Sequence, residues 1–124
     1  MDSAKSPEQQ IVEACERGDI DAVTELVQQG ADVFSKFNGL SCLQAAVSYG
    51  HLGLVQHLVL NLGCDPLVDQ EKNGDSALYW SAFWRHWDIF WWIHSNTGLK
   101  FDQNSKNNHS ILHFAIWDNN LPVL

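Results

Sequence analysis

The chain has 124 residues, 45% of them hydrophobic, with 15 acidic against 7 basic side chains and a net charge of −8. That length suits one domain, the apolar content and only three prolines argue against disorder, and the acidic surplus disfavours nucleic acid and anionic membrane as partners. The start, Met1-Asp2-Ser3-Ala4-Lys5, has no apolar run of the kind a signal peptide needs. The most apolar stretch, 77–93, is interrupted by Arg85, His86 and Asp88, which leaves it short of a membrane span.

Apolar spacing predicts a first helix over 8–17 that carries Ile11 and Ala14 and stops at Gly18. A second follows over 20–29 with Ile20, Val23, Leu26 and Val27, ended by Gly30. Asn38-Gly39 then reads as a turn, and Ser41 as the N-cap of a helix over 42–49 with Leu43, Ala46 and Val47. Gly50 stops it. Leu52, Val55, Leu58 and Val59 place the next helix over 52–62, with Gly63 behind it. Asn73-Gly74 opens the same cycle again, with helices over 77–84 (Leu78, Ala82) and 87–96 (Trp87, Phe90, Ile93). A last helix is predicted over 111–118.

The cycle is a repeat. Leu43, Leu78 and Leu112 occupy matching positions, at steps of 78−43 = 35 and 112−78 = 34 residues. A period near 34 marks a stacked array in which no unit can bury its apolar face alone. Small residues recur at one position of the first helix of each unit (Ala14, Ala46, Ser81, Ala115), as close approach between neighbouring helices requires.

These residues resemble the ankyrin repeat family. Its pattern G-x-T-P-L-H-x-A-A-x-x-G-H-x-x-x-V-x-x-L-L-x-x-G-A is similar to Gly39 through Cys64 and to Gly74 through Leu99, each with one extra residue before the final glycine. Cys42, Ala77 and Ile111 stand at the turn proline, Gln44 and Tyr79 at the histidine kept in His113, and Arg85 and Asn119 at the helix-ending glycine. The resemblance implies an all-α solenoid of helix-turn-helix units with short turn or hairpin loops. Its repeats would span 6–37, 38–72, 73–107 and an incomplete 108–124, a single domain excerpted from a longer protein. It implies a protein-interaction module with no enzyme activity and no cofactor. An alternative is the targeting or substrate-recruitment part of a larger enzyme, of acyltransferase or ubiquitin ligase type.

Little in the chain points to chemistry. The three cysteines, Cys15, Cys42 and Cys64, are odd in number and lack metal-ligand spacing, which predicts buried thiols in a reducing compartment, cytoplasmic or nuclear. Only one pair of histidines, His109 and His113, lies three or four residues apart, too few clustered ligands for a site, so no metal is expected. His51 and His86 follow the helix-ending position, where the resemblance implies hydrogen bonds within the turn.

Tryptophan is the exception. There are six, five of them between 80 and 92. In the repeat register Trp87 falls at a core position, Trp80 at a half-buried one, and Trp91 on the outer helix where solvent is expected. The resemblance places the last two positions of each first helix on the concave groove that takes partners. Those positions bring together Ser48, Tyr49, Phe83, Trp84, Trp117 and Asp118, and Leu40 and Asp75 beside the turns complete the candidate binding set. The aromatics read either as oversized packing or as a binding hot spot, since Trp and Tyr dominate interface energies. A further reading takes Trp80 and Phe114 as two walls of an aromatic cage for methylated lysine or a basic tail. The acidic balance favours a partner with a basic surface, with no nucleic acid and no membrane insertion. The apolar C-terminal side, with Ile111, Phe114, Leu121, Val123 and Leu124, predicts self-association through that end, with Ile93, Trp91 and Trp92 only half covered.

Overall fold

In a computed structural model, residues 5–64, 77–97 and 113–118 are described. Helix α1 (Pro7–Arg17) begins at Ser6, whose hydroxyl accepts from the Gln9 amide at 3.1 Å, with proline at the first helical position. It ends at Gly18 with φ 74°, a left-handed conformation that suits glycine. Asp19 at once caps α2 (Ile20–Gln28) by accepting from the Ala22 amide at 3.1 Å. Strands β1 (Lys36–Phe37) and β2 (Leu40–Ser41) pair antiparallel in the register Lys36↔Ser41 and Phe37↔Leu40. Asn38 and Gly39 between them both have positive φ, 56° and 78°, as a two-residue hairpin turn demands. Ser41 then caps α3 (Cys42–Ser48), accepting from the Gln44 amide at 3.0 Å.

The remaining helices are α4 (Leu52–Leu60), α5 (Ala77–Phe83) and α6 (Trp87–Thr97), followed by α7 at 113–117. Helices α1, α3 and α5 stack as an inner layer, and each also packs on its own partner in the outer layer of α2, α4 and α6. The core lies between the layers, with Ile11, Leu43, Val55, Leu58, Leu78 and Phe90 all at 0–1% exposure. The small-residue row is fully buried, as close helix approach requires. Its one polar member, Ser81, donates its hydroxyl to the Leu78 carbonyl at 2.8 Å, which removes the penalty of an unmade bond.

Two expectations are corrected here. Ile93 is completely buried because it faces inward from α6 onto the core. Trp91 is half-buried where solvent was expected, since its ring lies edge-on to Phe90 at 5.2 Å and meets His94 at 5.6 Å. The helix placed over 52–62 ends at Leu60. Ile111, Leu112, Asn119, Leu121, Val123 and Leu124 lie outside the described residues. Among the described residues, no helix is long and apolar enough to cross a membrane.

Candidate partner groove

The last turns of the inner helices share a register, so Glu16, Ser48, Phe83 and Trp117 correspond, as do Arg17, Tyr49, Trp84 and Asp118. Four aromatic rings at these positions are open: Tyr49 at 56%, Phe83 at 43%, Trp84 at 54% and Trp117 at 69% exposure. The rings of the third and fourth units form one connected patch. Phe83 meets Trp84 edge-on at 5.0 Å and Phe114 edge-on at 5.7 Å, and Phe114 meets Trp117 at 5.9 Å. Tyr79 joins from α5, 5.9 Å from Phe83 and 6.2 Å from Phe114. Offset and edge contacts of this kind fix ring orientation as well as burying area. Tyr49, one unit earlier, shares the exposure but none of these contacts.

At the ends of the first two inner helices a clasp runs between neighbouring units. His51 Nε2 lies 2.7 Å from the Glu16 carbonyl, and His86 Nε2 lies 3.1 Å from the Ser48 carbonyl. A carbonyl can only accept, so Nε2 carries the hydrogen in both. These bonds reach back to the preceding unit and are not confined to the histidine's own turn, which corrects the expectation above. Each imidazole rests against the glycine that ends the previous inner helix. A Cβ on Gly18 would stand 2.5 Å from His51 Nδ1, and one on Gly50 would stand 2.7 Å from the His86 ring.

The third clasp is built differently. Arg85 holds the glycine position with φ 65°, uncommon for a side chain of that size. Its Nη1 donates to the Phe83 carbonyl at 2.7 Å and to the Ala82 carbonyl at 3.3 Å. The Phe83 carbonyl corresponds to those of Glu16 and Ser48, so arginine here supplies the hydrogen that histidine supplies elsewhere. The guanidinium lies 4.2 Å over the Phe114 ring and 5.5 Å from that of Trp117. Its Nε is 3.4 Å from Asp118 Oδ1, while Asp118 Oδ2 accepts from Trp87 Nε1 at 2.7 Å.

A family model described as ankyrin repeats (3 copies) matches residues 11–105. The chain belongs to the ankyrin repeat family. Comparison with curated proteins gives no match. Ankyrin repeats are protein–protein interaction modules and typically non-catalytic, and the paired helices and hairpin described above are an all-α repeat fold of that kind.

Within this ankyrin array several candidate residues sit differently from expectation. Trp80 is buried at 4% exposure and its Nε1 has no partner, and Phe114 is buried at 8% with the Arg85 guanidinium on its face. The two therefore present no open aromatic wall, because the arginine that replaces glycine fills the space over Phe114. Asp118 is committed to Arg85 and Trp87. Trp87, placed in the core from its register, is half-buried and spends its indole hydrogen on Asp118. Leu40 is half-buried in β2, and the Ser48 carbonyl is taken by His86. Asp75 lies outside the described residues. Arg85 and Tyr79 were absent from the candidate set. The replacement of glycine at 85 was the available signal for Arg85.

The thiols offer no nucleophile. All three cysteines are buried and unbridged. Hydrogen bonding with Cys42, then burial, pushes the Cys15 thiol far up from its ordinary value, the opposite of what nucleophilic cysteine requires. Among the described residues, no group of three or more His, Cys, Asp or Glu side chains could hold a metal ion.

Proposed function

We propose that this ankyrin array, read as repeats over 6–37, 38–72, 73–107 and 108–124, binds a basic protein segment along the face of Tyr49, Phe83, Trp84 and Trp117. The exposure of three large rings, Phe83 and Trp84 in direct contact and Trp117 linked to them through Phe114, at the junction of the third and fourth units carries the reading. Exposed aromatics on a rigid scaffold lose little conformational freedom on binding and gain much buried area. The net charge of −8 favours a cationic partner. Buried, unbridged thiols fit residence in a reducing compartment, the cytoplasm or nucleus.

Selection from a displayed peptide library, followed by titration of the enriched peptides, tests this. Enriched sequences should be rich in Lys and Arg. Trp84→Ala should weaken their binding by about 2 kcal/mol with little change in the melting temperature. Enrichment of acidic peptides, or binding indifferent to Trp84, would overturn the proposal.

A further inference from the structure

We infer that Phe114, Trp117 and Asp118 form a guanidinium site, which Arg85 fills in the free chain and an arginine of the partner fills in the complex. The inference rests on the groove reading above and adds the identity of the recognised side chain. The observations concern Arg85 itself. A flat cation lies 4.2 Å over one ring and 5.5 Å from a second, with a carboxylate oxygen at 3.4 Å. That combination of ring faces and one anion suits guanidinium, which stacks on aromatics and is weakly hydrated.

Arg85 is an unusual resident for the site. It reaches the rings from a left-handed backbone, φ 65°, at the position where Gly18 and Gly50 take φ 74° and 80°. Strain of this sort costs energy and is a mark of clamps and switches. Its side chain remains about one-third exposed, and its carbonyl partner on Phe83 belongs to an exposed residue, so water can satisfy both when the arginine swings out. One guanidinium then replaces another over the same rings. The exchange is close to balanced locally, and the open faces of Trp84 and Trp117 supply the net gain.

An internal occupant lowers apparent affinity by the fraction of time the site is open. If the site is closed four-fifths of the time, removing Arg85 tightens binding roughly fivefold. Calorimetric titration with tetra-arginine, tetra-lysine and tetra-glutamate peptides at low salt provides the test. Wild type should bind tetra-arginine most tightly of the three. Arg85→Gly, which suits the backbone, should bind it about fivefold tighter, and Arg85→Gly with Trp117→Ala should lose that gain. Arg85→Gln, which keeps the chain length and removes the charge, carries the test if the glycine variant fails to fold. If wild type binds tetra-arginine but neither Arg85 variant binds it more tightly, the stand-in role is overturned and the groove reading survives. If no protein binds a basic peptide, both fall.

Discussion

The junctions between the first three inner helices and the junction to the fourth solve one problem with different residues. In the earlier two, a histidine of the later unit binds a carbonyl of the earlier one, and the adjoining glycine is small because the imidazole lies against it. At the later junction the glycine is Arg85, and Arg85 binds the corresponding carbonyl of Phe83. The sequence carries Asn120 where His51 and His86 stand in the units before. Glycine and histidine thus behave as one device: without a histidine at the next position the steric reason for glycine lapses, although the left-handed backbone still favours it, and a longer side chain does the bonding. The same exchange places a cation beside Phe114 and Trp117, at the point where the groove is most aromatic. Helices with equivalent positions therefore end in a neutral clasp at one end of the array and a charged, partly exposed one at the other.

Four substitutions probe that contrast. Gly18→Ala should have the largest effect, because the new Cβ meets His51 at 2.5 Å on a backbone of φ 74°. A loss of about 2 kcal/mol is expected in urea unfolding, and a loss under 0.5 kcal/mol would mean the imidazole moves aside freely. His86→Ala should cost about 1 kcal/mol by leaving the Ser48 carbonyl unmatched. Combined with Gly50→Ala it should cost less than the two single changes added, since the ring that excludes a Cβ is gone. Additive costs would separate the glycine from the histidine and break the comparison. Arg85→Gly should change stability least. Relief of the left-handed backbone, about 1 kcal/mol, offsets the loss of a cation–π contact of roughly 0.5–1 kcal/mol and an exposed ion pair of at most about 1 kcal/mol. A loss above about 2 kcal/mol would make Arg85 a structural tie of greater weight than either histidine.

Much of the fold was legible along the chain. Gly18 and Gly50 ended helices where their spacing placed the stops, Ser41 capped α3, and Asn38-Gly39 turned the hairpin. These are local matters of φ and of amide hydrogens within four residues. The buried Leu43, Leu78 and Phe90 were legible for a related reason, since period and register assign a face before any tertiary contact is known. Exposure of Tyr49, Phe83, Trp84 and Trp117 agrees with the groove positions that the ankyrin resemblance implied for that register. Trp91 did not, because its cover comes from the large neighbouring rings of its own helix.

By itself, then, the sequence determined the helices, their caps, the repeat and the side of each helix that faces the core, all set by interactions within one turn or by a periodic pattern. Only tertiary structure decided which units the histidines join, that Arg85 covers Phe114, and that Asp118 is shared between Arg85 and Trp87. Those contacts span 31 to 38 residues in the histidine and tryptophan bonds. Their geometry depends on how adjacent units stack, and a long side chain such as arginine has many rotamers until its neighbours remove all but one.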